Sequence, residues 1–323
     1  SCCVGWEVML DEDQARRYLA GDDPLSRRAA EAMVYDEEED AFAFPLSGGR
    51  CPFLDGEDLC ELHRAWGAEA TPLTCQTHPR FTEDFGPFAE RALSAACPAA
   101  NARLLGSREP LGFREIETGD PGEEGDDWLP YLVPFRRRLF ALLQDRGRPL
   151  RARLADFLTL CLLGDAILAE AELAGTAPED LLALEGGTPE GTLPEEGIFP
   201  AGFRLLASLE VLEPDWRDVL REAETAAPVP QDEALLERIA TYFAYRSVLK
   251  CVNDGDLLGR GLYTVFLTLA AERIAAVRGL GEALRRLSRE VEHDADNVEA
   301  LLTAFREDGA FDVGCFLWEL RNS

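Results

Sequence analysis

Leu132-Val133-Pro134-Phe135-Arg136-Arg137-Arg138-Leu139-Phe140-Ala141-Leu142-Leu143 sets apolar side chains at steps of three and four residues, the repeat of one face of a helix. Leu154, Phe157, Leu158, Cys161 and Leu162 repeat the pattern one segment later. Further periodic stretches follow from Leu235 to Val252, from Leu257 to Val277, and from Gly281 to Arg306 with interruptions, and a short helix is expected near Phe316. A Gly/Pro-rich cluster from Gly186 to Pro200 breaks the series. From Trp128 onward the chain therefore reads as helical, and the whole as mostly α.

Upstream the texture changes. After Gly106 comes a Gly/Pro/acid-rich passage through Pro121-Gly122-Glu123-Glu124-Gly125, which reads as a linker. Six of the nine cysteines precede it. The expected organisation is a small cysteine-rich module at residues 1–106, with a short β-hairpin, packed on a larger helical body at 107–323. Within the module, Asp11 predicts the cap of a helix through Leu19, and Asp23-Pro24 opens another running toward Tyr35. The acidic run Asp36-Glu37-Glu38-Glu39-Asp40 predicts a solvated loop, and the alternation of Phe42, Phe44 and Leu46 a short strand. The opening Ser1-Cys2-Cys3 lacks an initiator Met and any leader pattern, which predicts further residues upstream.

Composition narrows the function. The 323 residues suffice for a real core, and 46% hydrophobic with 29% charged residues is ordinary for a globular chain. A net charge of −29 would repel a phosphate backbone, so nucleic acid is excluded as a partner and a basic protein is the better match. No run of about 18 uncharged apolar residues occurs, so no membrane helix is expected and a cytoplasmic location is. Among 32 basic residues Lys250 is the sole lysine; a GC-rich genome explains that, and so would a protein that modifies lysines.

The cysteines invite three readings. Cys51-Pro52-Phe53-Leu54-Asp55-Gly56-Glu57-Asp58-Leu59-Cys60 has apolar arms about an Asp-Gly turn, so a hairpin is expected to bring Cys51 near Cys60. Cys75 precedes the helix-stopping Pro79, and Cys97-Pro98 repeats the arrangement of a thiol beside a backbone break. Disulfides fit poorly with an odd count and no export signal. Structural zinc needs four such ligands but usually takes close pairs, whereas iron–sulfur ligation tolerates wider spacing; both stay open. Cys161, Cys251 and Cys315 lie in apolar helices and are expected to be small buried hydrophobes. His63 and His78 can ligate a metal or pack.

Cys2-Cys3-x-Gly5-Trp6, Cys51-Pro52-Phe53-Leu54 with Leu59-Cys60, Cys75-Gln76-x-x-Pro79-Arg80 and Leu93-Ser94-x-x-Cys97-Pro98 resemble, in order and spacing, the flagellin lysine-N-methylase family, part of a wider group of CxxCxxCC-motif proteins. A fifth block, Ser288-Arg289-Glu290-Val291-Glu292-His293 with Asn297, is similar to the family's late helical block. The resemblance implies methyl transfer from S-adenosylmethionine to lysines of flagellin or another lysine-containing protein, with a [4Fe-4S] cluster. Carried over residue by residue, it implies Cys3, Cys51, Cys60, Cys75 and Cys97 as ligands, with Cys2 less secure. The earlier cysteines of the family's first motif are absent.

Lysine methylation requires carboxylates that steer an ammonium and a base that removes its proton. Glu290, Glu292 and His293 offer these in one helical turn, Glu290 and His293 sharing a face at three residues' spacing; an ordinary surface helix has the same spacing. Tyr242, Tyr245 and Arg246 can form an aromatic wall for a sulfonium or ammonium, or simply core. Arg80 can offset thiolate charge or bind a carboxylate. No glycine-rich turn follows a convincing strand, so a Rossmann-type methyltransferase is disfavoured. Against the methyltransferase stand a non-catalytic, zinc-stabilised scaffold for a basic protein and an electron-transfer or maturation protein.

Overall fold

A computed structural model describes residues 3–5, 8–37, 40–117, 122–187 and 191–322. Helices make up 61% of it, which settles the class as mostly α. The chain forms two compact units, Ser1–Phe81 with Arg91–Pro98, and Thr82–Glu90 with Ala99–Ser323.

The first unit alternates short elements. Strand β1 (Val8–Leu10) leads into α1 (Glu12–Ala20), whose first turn is capped by the Asp11 carboxylate accepting from the Gln14 N–H at 2.9 Å. Asp23 caps α2 (Pro24–Ala32) in the same way, with proline at the first position where its missing N–H costs nothing. β2 (Val34–Asp36) and β3 (Ala41–Phe44) complete an antiparallel sheet of order β1-β3-β2, with Val8 opposite Phe44 and Tyr35 opposite Phe42. Val8, Leu10, Tyr18, Phe44, Phe53 and Leu62 form this unit's core.

The expected hairpin over Cys51–Cys60 is not built from two strands. It closes as consecutive turns, with Leu54 N–H donating to the Cys51 carbonyl at 3.1 Å and a lone β-bridge pairing Leu54 with Cys60. The Asp55 carboxylate accepts from the N–H groups of Glu57 and Leu59 inside the turn, while the Asp55 N–H donates to the Leu59 carbonyl and the Glu61 N–H to the Phe53 carbonyl, each at 2.9 Å, the two bonds of that antiparallel bridge. α3 (Glu61–Trp66) follows and stops at Gly67, whose φ of 86° suits glycine. α4 (Leu73–Thr77) carries Cys75.

A longer two-stranded hairpin lies further on, at β4 (Arg80–Asp84) and β5 (Ala89–Leu93), around the turn at Gly86-Pro87. α5 (Pro98–Leu105) begins directly after Cys97.

The described remainder of the second unit is built from helices: α6 (Leu129–Leu143), α7 (Leu150–Ala174), α8 (Ile198–Ser208), α9 (Trp216–Thr225), α10 (Glu233–Ser247), α11 (Cys251–Asp254), α12 (Leu257–Arg278), α13 (Leu280–Leu287), α14 (Ala295–Glu307) and α15 (Val313–Asn322), with extended connections between them. α12 is its axis, packed by α7, α9, α10, α13 and α14, and nearly every residue from Leu262 to Ala271 is buried. α7 approaches α12 so closely that a Cβ on Gly261 would stand 2.8 Å from the Cys161 Cβ. Glu237, fully buried on α10, is held by Arg153 at 2.8 Å and by Arg146 at 2.8 and 2.9 Å, so its charge is compensated in the interior. No helix among the described residues is long and apolar enough to cross a membrane.

Candidate functional site

In the first unit, Tyr18 on α1 organises the cysteine region. It is 1% exposed, its hydroxyl donates to the Ala70 carbonyl at 2.8 Å, and its ring stacks on Phe44 and Trp66. Burial pushes its phenol well above the ordinary range, and Cys75 and Cys60 add to the shift, which places both sulfurs within electrostatic reach of one ring. Cys60 stands at the start of α3, where its Sγ accepts from the His63 N–H at 3.5 Å. Cys51 packs against the same core, and its thiol is pushed up first by burial and then by Cys60. Its N–H donates to the Cys3 carbonyl at 2.9 Å.

Cys97 reaches this region through Pro79. Its N–H donates to the Ser94 carbonyl at 3.2 Å, and the Ser94 N–H donates to the Pro79 carbonyl at 2.7 Å, four residues after Cys75. Thus Cys51 and Cys60 pack against the core that holds Tyr18, and Cys3 is tied to Cys51 through the backbone. Cys2 lies outside the described residues. Cys51, Cys60 and Cys97 carry free thiols. His63 is exposed, and His78 is half-buried, its pKa lowered by that burial. Arg80 is exposed and donates to the Gln76 carbonyl at 3.4 Å.

Proximity is not coordination. Among the described residues no group of three or more His, Cys, Asp or Glu side chains is arranged to hold a metal ion. Thiols are the soft donors that an iron–sulfur cluster or a zinc ion takes, and Cys51, Cys60 and Cys97 are in no disulfide. Cys161, Cys251 and Cys315 are 0%, 0% and 5% exposed and pack as hydrophobes. Burial drives the Cys251 thiol up to about 12, far from a reactive thiolate.

The late block of sequence lies in the second unit, and its geometry departs from an α-helical face. Ser288–Glu292 winds as a π-helical turn, which alters the angular spacing on which the Glu290/His293 face was reasoned. Glu290 and Glu292 serve different neighbours. Glu290, 2% exposed, accepts from the N–H groups of Leu212 and Glu213 at 2.8 and 2.9 Å; burial raises its pKa, and these two bonds oppose the rise. Asn297 extends the clamp, donating to the carbonyls of Glu210 and Glu290 and accepting from the Glu210 N–H. Arg285 and Arg286 on α13 bind Glu213 and Asp215 of the same loop. His293 follows the turn, half-buried.

Glu292 joins residues that sequence reasoning had kept apart. Its side chain is 2% exposed, and its carboxylate accepts from the Tyr242 hydroxyl at 2.9 Å, the Ser288 hydroxyl at 2.5 Å and the Arg246 Nε at 3.2 Å. Burial alone would lower the Arg246 pKa, but Glu292, Tyr242 and Tyr263 outweigh it and raise it. Tyr263 on α12 is a member that sequence reasoning missed: burial pushes its phenol far up, and Glu292 adds to the shift. Its signal in the sequence was a lone tyrosine within the apolar run of α12. Tyr245 lies elsewhere, stacked on Phe113 at 4.7 Å between ring centroids.

In sequence the chain resembles the flagellin lysine-N-methylase family. A stretch of 119 residues, 35% of this chain, is 29% identical to proteins named lysine-N-methylase from Salmonella typhimurium and Salmonella choleraesuis. The match spans 30% of the length of each of those relatives. The flagellar biosynthetic protein FliU of Salmonella muenchen matches at the same identity over 119 residues, with 70% of its own length covered. No family model matches the chain, and no solved structure does.

Proposed function

We propose that this protein is a cytoplasmic protein-lysine N-methyltransferase acting on flagellin or a similar lysine-bearing protein, with S-adenosylmethionine as methyl donor. The observation that carries the reading is the 29% identity over 119 residues to two proteins named lysine-N-methylase. The chemistry sets the requirement: a lysine ammonium, ordinarily near about 10.4, must shed a proton before its nitrogen can accept a methyl group.

Glu292 acts here as a positioning residue. Its three donors fix the Tyr242 hydroxyl and the Arg246 guanidinium, so the polar edge of α10 is held in a single arrangement. The network does not fit a sulfonium, since Arg246 already answers the Glu292 charge. Glu290 is committed to two backbone N–H groups, which suits a structural brace better than a proton carrier.

A [4Fe-4S] cluster, or zinc in its place, held by Cys3, Cys51, Cys60, Cys75 and Cys97 is part of the proposal. Iron with sulfide in anaerobically purified protein supports the cluster; zinc alone, with no methyl transfer, favours the binding scaffold. The activity is tested by incubating anaerobic protein with methyl-labelled S-adenosylmethionine and flagellin. Label recovered as N-methyl-lysine after hydrolysis supports it, and flagellin left unlabelled, with the protein folded and its metal content measured, refutes it.

A further inference from the structure

Residues 106–117 form no helix or strand, yet within the second unit they are seated by that unit's own side chains. Arg238 on α10 donates from Nε to the Leu104 carbonyl at 2.6 Å, at the end of α5, and from Nη1 to the Glu109 carbonyl. Arg146 donates to the Arg108 carbonyl at 2.6 Å, and Gln144, at the end of α6, to the Leu111 carbonyl at 2.9 Å. The Phe113 ring lies on Phe140 of α6 and Tyr245 of α10, with 4.8 and 4.7 Å between centroids.

These contacts share a direction. The helical body supplies the donors and the segment supplies carbonyl oxygens, which every residue type carries. Main-chain bonds hold an extended chain whatever its sequence, and a slot for one side chain then selects among sequences. Here the slot takes an aromatic ring, and half-buried Leu111 stands two positions before it. The segment's own charged pairs, Arg108 with Asp232 and Glu115 with Arg137, lie at the surface and add little.

The segment is a lightly held occupant. Arg108, Glu109, Pro110 and Gly112 are exposed, and Phe113 keeps 44% of its surface in water. The seat beneath is fixed by other means, with Arg146 bonded to buried Glu237 at 2.8 and 2.9 Å. Arg238, 7% exposed, has carbonyl oxygens as its hydrogen-bond partners and no carboxylate among the described residues. A buried guanidinium needs such acceptors, and any extended backbone brings them.

We propose that this face of α6 and α10 is a groove for an extended segment of another protein, one with an aliphatic residue two positions before an aromatic ring, and that residues 106–113 are its resident, displaceable occupant. The incoming ring takes the place of Phe113, and the incoming carbonyls take over Arg238, Arg146 and Gln144. Because the resident is tethered, it competes at high effective concentration and keeps weak partners out.

The test uses the full chain and a fluorescein-labelled peptide of the chain's own residues 106–114, read by anisotropy without any methyl donor. Phe113→Ser loosens the resident, so this variant is expected to bind the peptide about tenfold more tightly than the unchanged chain. A peptide with serine in place of its phenylalanine is expected to bind the variant about tenfold more weakly, and adding Arg238→Met to weaken the first peptide as much. Circular dichroism checks that the variants fold. On the unchanged chain, a large excess of peptide is expected to speed hydrogen exchange at residues 107–113 as they leave the groove. Absence of binding, equal affinity of the two chains or of the two peptides, or exchange that excess peptide leaves unchanged overturns the proposal. Because no donor is present, this groove and the methyltransferase reading can each fail alone.

Discussion

Glu292 holds three donors within an interior that would otherwise reject its charge, and Arg246, with a side chain only 13% exposed, depends on it in return. Removing one member of such a buried pair strands the other, so Glu292→Ala is expected to destabilise the fold by about 3–5 kcal/mol, measured by urea denaturation. A change below about 1 kcal/mol would mean that the pair is dispensable. Glu282 makes a prediction in pH. The guanidinium of Arg285, and then that of Arg286, hold its carboxyl down from 4.5 to about 2. A depressed folded pKa contributes stability above the unfolded value, and that contribution is lost as pH falls through the folded one. Wild type should therefore exceed Glu282→Gln in stability above pH 4.5, and the gap should close toward pH 2; parallel acid-denaturation curves would contradict this. Individual residues were unevenly legible. Sequence singled out Tyr242, Arg246 and Glu292, but their union was not readable, because Tyr242 and Glu292 lie 50 positions apart and meet only through tertiary packing.

At the scale of elements, caps and breakers carried most of the information. Asp11 and Asp23-Pro24 mark the helix starts they were expected to mark, each by satisfying or removing a backbone group at a helix end. Asp55-Gly56 does turn the chain back, but a single bridge, Leu54 with Cys60, forms across it, and the paired strands lie around Gly86-Pro87. There Phe85 N–H donates to the Phe88 carbonyl at 3.0 Å and Gly86 takes a φ of 87°. The charged alternation of Arg80-Phe81-Thr82-Glu83-Asp84 hid that strand, since it lacks the apolar face by which strands are usually recognised. The π-helical turn had no marker at all, neither glycine nor proline. Its value is visible in what it positions: Glu290 and Asn297 together secure the loop from Glu210 to Glu213. Asn297→Ala would leave buried backbone groups of that loop without partners, and a loss of about 3 kcal/mol is expected in thermal melts. An unchanged melting temperature would show that Glu290 and the α13 arginines hold the loop without Asn297.

For the molecule as a whole, helical periodicity gave the class directly, and the mostly α reading stands. α8 and α9 went unnoticed because they follow the Gly/Pro cluster that reads as a break, and ten residues or so of amphipathic sequence is a weak signal beside it. The gathering of cysteines was legible only as spacing. The structure packs Cys51 and Cys60 against the core that holds Tyr18, so two thiols from opposite arms of one turn share a region. The proposed substrate, a basic and lysine-bearing protein, suits a chain of net charge −29. The most direct test is mass spectrometry of flagellin after incubation with the anaerobic protein and S-adenosylmethionine, beside a flagellin whose lysines are all arginine. The account predicts mass increments of one methylene or its multiples, mapped to lysines and absent from the arginine form; no increment on either, or increments on both, would contradict it.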